Sequence, residues 1–363
     1  MYLKNLTLSN FKNYEEAGFA FNENVNGIVG KNGSGKTNLL DAIHYLSFCK
    51  SYFSSQDVYS VRFNADFFAV HGDFYDRNTE NSTHVSCVYK NGHKSMRANR
   101  KEYSRLSAHI GLFPVVMVSP YDSDIINGGS ENRRKFFDVI ISQYDREYLQ
   151  HLISYRKLLA QRNALLKQMA DSRQYDNALL EVIDGQMELS GTFIYGARRD
   201  FIAKICPIFS SHYQRLSHSA EEVDLQYLSA LNEKTFADGL RECVAADFKS
   251  GFTNFGVHKD DFAFLLGGQP VKRYGSQGQQ KSFSLALRLA QFDYSYEQKN
   301  IKPILLLDDI FDKLDMARTA ELLNMVGQDH FGQVFLTDTD ENRVKRILSE
   351  HGISHQIITT APM

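Results

Sequence analysis

The sequence predicts an α/β fold: mixed β-sheets with helices around a phosphate-binding loop, interrupted by an inserted helical domain. Three observations predict it. A short β-branched run, a glycine-rich turn and a helical pattern follow one another between Val25 and Phe48. Four bulky aliphatics run into two carboxylates at Ile304-Leu305-Leu306-Leu307-Asp308-Asp309. Between these markers, from about Arg133 to Arg215, apolar residues recur at helical spacing.

The glycine turn reads Gly30-Lys31-Asn32-Gly33-Ser34-Gly35-Lys36-Thr37, the pattern G-x-x-x-x-G-K-T, with Asn38 following. Glycines let the backbone fold over oxyanions with its N–H groups inward, and a helix N-terminus adds partial positive charge. Lys36 is placed to reach the β- and γ-phosphates and the Thr37 hydroxyl to hold Mg²⁺, so a nucleoside triphosphate such as ATP is the expected ligand. Val25, Ile28 and Val29 form the strand before the loop. Leu39, Leu40, Ile43, Leu46 and Phe48 line the helix after it, with Asp41 and His44 interleaved.

Further strands are expected around Leu3, Leu6 and Leu8, around Phe19 and Phe21, and over Phe67–Phe74 and Val85–Tyr89. Asn91-Gly92 predicts a tight hairpin turn. Around it lie Lys90, Lys94, Arg97, Arg100, Lys101 and Arg105, broken only by Glu102. Such a cluster is either a solvated face or a patch that contacts nucleic-acid phosphates, for which Lys94, Arg97, Arg100 and Lys101 are the candidates. Val115–Val118 predicts a buried strand that stops at Ser119-Pro120. Leu149, Leu152, Leu159, Leu166 and Met169 mark one long helix. Ile183, Met187, Ile194, Phe201 and Ile205 mark a second, which Pro207 is expected to end.

The run Ile304–Leu307 describes a central parallel strand delivering acids at its carboxyl end. There Asp308 is placed to enter the Mg²⁺ shell and Asp309 to orient or deprotonate a water. Thr37 and Asp308 are 271 positions apart, which requires an insertion inside the nucleotide domain. Just before the acidic strand, Ser276-Gln277-Gly278-Gln279 opens a helix carrying Phe283, Leu285, Leu287, Leu289 and Phe292. This turn is either the cap of a core helix or a second anion cradle. A chain with one triphosphate site has no internal use for a second cradle, so a two-fold head-to-tail homodimer with two ATPs at its interface is expected.

Composition bounds the rest. The chain has 363 residues, 43% hydrophobic and 23% charged, with a net charge of −2, so any nucleic-acid contact must come from a local patch. The four cysteines, Cys49, Cys87, Cys206 and Cys243, show no metal-ligand spacing. Met1–Leu6 alternates like a strand and lacks a signal-peptide core, and no apolar run approaches the ~20 residues that span a bilayer. A cytoplasmic protein with no membrane contact is expected. A small-molecule P-loop kinase would have no use for Ser276–Gln279.

With these motifs in this order, the chain resembles the ABC-type ATPases of the SMC-like branch, in which S-x-G-Q before the acidic strand is the signature. Within that branch it is similar to the RecF family of bacterial DNA replication and repair proteins. The matching segments are Asn10-Phe11-Lys12-Asn13-Tyr14, Ser119-Pro120-Tyr121-Asp122, Gly129-Ser130, Arg133–Asp138, His258-Lys259-Asp260-Asp261 and Leu306–Asp315. The resemblance implies an ABC-ATPase-like P-loop domain (1–125 and 249–363) with an inserted helical lever-arm domain (126–248). It implies ATP-driven dimerisation on single-stranded or gapped DNA, slow ATP hydrolysis, and co-operation with RecR and RecO in loading RecA, as normal SOS induction requires. It places Lys36, Asp308 and Asp309 at the hydrolytic centre, Asp309 standing where transporter-type relatives carry Glu. It also aims Ser276, Gly278 and Gln279 at the partner copy's ATP, and puts Thr337-Asp338-Thr339 in the switch region where many relatives place His. An alternative is an ATP-binding interaction module in which hydrolysis is incidental.

Overall fold

The computed structural model describes residues 1–172, 177–217, 221–313, 316–328 and 330–360. Leu314 and Asp315, part of one of the matching segments, lie outside the described residues. The chain divides into two compact units: Met1–Asp122 with His212–Ser219 and Lys281–Met363, and Ser123–Ser211 with Ala220–Gln280.

The first unit opens with strands β1 (Tyr2–Phe11), β2 (Tyr14–Ala20) and β3 (Val25–Val29), then helix α1 (Lys36–Phe48). Strands β4 (Phe67–Asp76), β5 (Asn81–Lys90), β6 (His93–Ala98), β7 (Lys101–Glu102) and β8 (Val115–Val118) follow. An antiparallel sheet runs β2-β1-β4-β5-β6-β7. Leu3 and Leu6 are three residues apart, yet both are buried. A register shift between Leu3 and Asn5 absorbs the extra residue; without it a period of two would send one of them to the other face. Asn91 and Gly92 have φ of 51° and 78° and join Lys90 to His93, the positive-φ pair a two-residue hairpin wants.

The second unit holds α2 (Ser123–Asn127), α3 (Ser130–Tyr144), α4 (Arg146–Ser172), α5 (Asn177–Ser217), β9 (Val223–Leu228), α6 (Phe236–Ser250), β10 (Asp261–Leu266), β11 (Gln269–Pro270) and α7 (Val271–Tyr274). The last few residues of α5 count with the first unit. Two expectations are corrected here. Helix α5 does not end at Pro207 but runs on to Ser217. Proline costs a helix roughly 3 kcal/mol, whereas burying Phe209, Tyr213 and Leu216 beyond it returns about 1.5–3 kcal/mol each. The buried face of α4 is Tyr148, Leu152, Tyr155, Leu158, Arg162, Leu165, Leu166 and Met169, while Leu149 and Leu159 sit half-buried on its flank. Two tyrosines and a fully buried arginine complete the face that an apolar-only pattern misplaces. The stretch 126–248 also carries a strand. Val223, Leu225 and Tyr227 alternate in β9, which pairs antiparallel with β10.

Arg162 is buried because three partners receive it: Asp184 (2.5 Å), Asp247 (2.6 Å) and the Thr253 hydroxyl (3.0 Å). The Arg133–Asp138 and His258–Asp261 segments meet in the same unit. Arg133 forks onto Asp261, and Arg198 spans Asp138 and Asp260. His258 bonds Tyr155 and the Thr253 carbonyl, and burial pulls its pKa down to about 4. It is a neutral structural histidine.

Helix α8 (Gln277–Lys299), β12 (Ile304–Leu307), α9 (Ile310–Lys313), α10 (Met316–Gly327), β13 (Val334–Asp338), α11 (Glu341–Glu350) and β14 (His355–Thr359) complete the chain. A parallel sheet runs β14-β3-β13-β12-β8. Every residue of β3, β8, β12 and β13 is buried, the signature of strands covered on both faces. Helix α1 packs on β4 and β13 and is therefore buried nearly all round. Asp41 and His44, interleaved with its apolar residues, are 0% and 4% exposed. Asp41 is satisfied by Lys12 (2.6 Å), the Ser51 hydroxyl (2.7 Å) and the Tyr52 N–H (2.7 Å). His44 bonds the Lys50 carbonyl, and burial lowers its pKa to about 4.

Candidate nucleotide site

The glycine loop leaves the carboxyl end of β3 and enters α1. Gly35 caps the helix at φ 96°. A Cβ there would meet Asn13 Nδ2 at 2.6 Å and the Tyr14 hydroxyl at 2.8 Å, so the close approach of the β1–β2 turn requires glycine. The Tyr14 hydroxyl donates to the Gly35 carbonyl (3.1 Å) and Asn38 Nδ2 donates to Asn13 Oδ1 (2.7 Å). The Lys36 ammonium curls back onto the Gly30 and Lys31 carbonyls at 2.9 and 3.2 Å. Lys31, Asn32 and Gly33 are exposed, leaving the outer rim of the loop open. Ser34 is tied to Thr360, just beyond β14, through a 2.6 Å hydroxyl pair.

Strand β12 brings Asp308 to this loop. The Thr37 hydroxyl donates to Asp308 Oδ1 at 3.0 Å, closing the 271-residue gap. The Thr337 hydroxyl, at the end of β13, donates to the same oxygen at 2.9 Å. Burial pushes the Asp308 carboxyl up from its ordinary value, and the two hydroxyls pull against that shift. Asp309 has φ 46°; its N–H donates to the Thr337 hydroxyl (2.8 Å), and its buried Oδ1 has no hydrogen-bond partner among the described residues. Thr37 and Asp308 thus offer two hard oxygens at one point, which fits Mg²⁺. Asp338 carries a two-point ion pair with Arg343 (2.6 and 2.9 Å), and its carbonyl accepts from the Gly30 N–H (3.3 Å).

Ser276–Gln279 belong to the second unit. The Ser276 hydroxyl accepts from the Gln279 N–H (3.2 Å) and Gln279 Oε1 accepts from the Ser276 N–H (2.7 Å). This is a reciprocal capping box, legible as S-x-x-Q. Gln279 Nε2 also reaches Glu221 (2.7 Å). Ser276 and Gln277 are exposed, Gly278 partly so.

The basic hairpin divides. Lys94 turns inward onto Asp57 (2.7 Å) and the Cys49 carbonyl (2.7 Å), and Arg97 pairs with Glu102 (3.1 Å). Arg100 and Lys101 are exposed. Lys94 therefore does not present a free charge. Thr337 opens the switch stretch, whereas Thr360 lies outside every motif of the sequence. A buried hydroxyl such as that of Thr360 carries no sequence signal.

The family described as RecF/RecN/SMC N terminal domain matches residues 2–360. The chain is similar to the DNA replication and repair protein RecF of Flavobacterium johnsoniae (43% identity, 98% of this chain, 99% of that one). It is likewise similar to that of Phocaeicola vulgatus (45%, 96% and 94%). Among solved structures it is similar to the recombination mediator protein RecF with ATP in the RecFOR pathway (TM-score 0.88, 31% identity, 94% of this chain and 92% of that chain). The Smc head domain of Pyrococcus furiosus (TM-score 0.56, 18% identity, 99% and 93%) shares the fold.

Proposed function

Because this chain belongs to the RecF family of DNA replication and repair proteins, we propose that it is an ATP-gated, DNA-binding switch rather than a stand-alone enzyme pocket. The single observation that carries the reading is the 3.0 Å contact of Thr37 with Asp308, which joins the phosphate loop to the acidic strand. Gly30–Asn38 bind the triphosphate of ATP. Lys36 exchanges its loop carbonyls for phosphate oxygens, and Thr37 and Asp308 hold Mg²⁺. The metal, when bound, neutralises charge developing on the phosphates. Asp309, with one oxygen that no described residue bonds, positions the attacking water, and its short side chain suits slow turnover. Ser276, Gln277, Gly278 and Gln279 close the ATP site of a second copy. The helices within 126–248 serve as the lever arm, and Arg97, Arg100 and Lys101, all exposed, are the hairpin contacts for gapped or single-stranded DNA. In this reading the chain works in the cytoplasm with RecO and RecR to load RecA.

Mass in solution with and without ATP and Mg²⁺ tests this directly. Wild type becomes a dimer only with both; Lys36→Ala stays monomeric; Asp309→Asn forms a long-lived ATP-bound dimer. Phosphate release that gapped DNA leaves unchanged would instead favour an interaction module in which hydrolysis is incidental. No helix among the described residues is long and apolar enough to cross a membrane.

A further inference from the structure

We propose that Thr337 is a positioning residue for both acids of the site, holding the metal-binding carboxylate and the backbone of the hydrolytic one through a single hydroxyl. The inference rests on the reading of Asp308 and Asp309 given above. Thr337 is completely buried. Parallel pairing of Leu307 with Leu336 sets it beside Asp308. Its hydroxyl has one proton, which it donates to Asp308 Oδ1 (2.9 Å), while its lone pair accepts the Asp309 N–H (2.8 Å). The two functions are compatible only in that direction, so the proton's location follows from the partners.

Each half has a consequence. Thr37 and Thr337 both donate to Asp308 Oδ1, but Thr37 is itself a proposed metal ligand. Once Thr37 turns to a cation, Thr337 is the remaining hydroxyl that fixes the carboxylate. At Asp309 the backbone sits at φ 46°, a region non-glycine residues rarely occupy. The N–H···O bond from Asp309 to Thr337 holds it there, with Asp309 Oδ1 buried and unpartnered among the described residues. A residue that only satisfied a backbone N–H at a strand end would act differently. That role would affect folding stability and leave the response to metal unchanged.

The experiment uses the full chain with Thr337→Val, Thr337→Ser and Thr337→Ala, a fluorescent ATP analogue titrated in EDTA and over a Mg²⁺ series, and phosphate release. Thr337→Val keeps nucleotide affinity in EDTA within about twofold of wild type. Its half-saturating Mg²⁺ concentration rises about tenfold, the scale of one hydrogen bond to a charged group. Turnover falls about tenfold or more with little change in KM, and Thr337→Ser returns both to within about threefold. Should the valine protein not fold, Thr337→Ala, which leaves room for a water, shows an intermediate Mg²⁺ shift. A wild-type Mg²⁺ response in the folded variants, or serine as impaired as valine, overturns the assignment. Failure of the wild-type chain to bind the analogue at all would overturn the proposed function, and this inference with it.

Discussion

Replacing Thr360 by valine probes how the phosphate loop is anchored from outside its own motif. The Thr360 hydroxyl donates to the Val29 carbonyl at 3.2 Å, so the proton in its 2.6 Å contact with Ser34 comes from Ser34. Ser34 is 1% exposed and Thr360 5% exposed. Valine at 360 strands the Ser34 hydroxyl in a dry site, which costs about 1–3 kcal/mol. The Val29 carbonyl keeps the Thr360 N–H at 2.8 Å, so its share of the loss is about 0.5–1 kcal/mol. Ser34→Ala removes the donor itself and costs about 1 kcal/mol. The double variant, with no stranded hydroxyl, recovers about 1–2 kcal/mol relative to the sum of the singles. Guanidinium midpoints for the four proteins give the coupling, and a fluorescent ATP titration gives the functional readout. There Thr360→Val weakens binding about three- to tenfold, equivalent to roughly 1 kcal/mol. Single effects that add to within about 0.5 kcal/mol, with unchanged ATP affinity, would refute the anchoring.

Two further outcomes follow from buried charge. Burial pushes the Asp293 carboxyl up, but the imidazole N–H groups of His212 (2.6 Å) and His330 (2.7 Å) outweigh it and bring the group down to about 2. A folded value below the unfolded one of ~3.9 gives stability that is present above about pH 4 and lost as pH falls towards 2, about 2–3 kcal/mol in all. Asp293→Asn therefore lowers stability at neutral pH and flattens acid unfolding across that window, as a pH series of denaturation curves will register. Arg162→Leu leaves Asp247, which is fully buried, without its cation. It should cost about 3–5 kcal/mol, seen as a lower melting temperature of the second unit.

The parts of the site legible in the sequence are those whose chemistry sits in contiguous residues. Gly30–Thr37 needs its glycines and its Lys-Thr pair within eight positions, because the loop must wrap one phosphate group. Ile304–Asp309 carries strand burial and acid delivery in six. Ser276–Gln279 is less decisive: the same four residue types suit a capping box and an anion cradle, and spacing does not separate the two. Lys94 illustrates the limit for charge. Its place in a basic run says nothing of Asp57, which claims it from a distant turn. Pro207 illustrates the limit for local rules, since burial of Phe209 and Tyr213 carries the helix past a residue that would end it in isolation.

By itself the sequence determined the phosphate loop, the acidic strand, the hairpin at Asn91-Gly92 and the α/β character of the fold, since each depends on neighbours within a few residues or on periodicity. Only the tertiary structure decided which side chains serve them. Thr337 finds Asp308 and Asp309 through the register of β13 on β12, and Thr360 finds Ser34 because β14 pairs beside β3. Strand register is a property of packing across hundreds of residues. A buried hydroxyl, chemically unremarkable in one dimension, acquires its role only when that register is set.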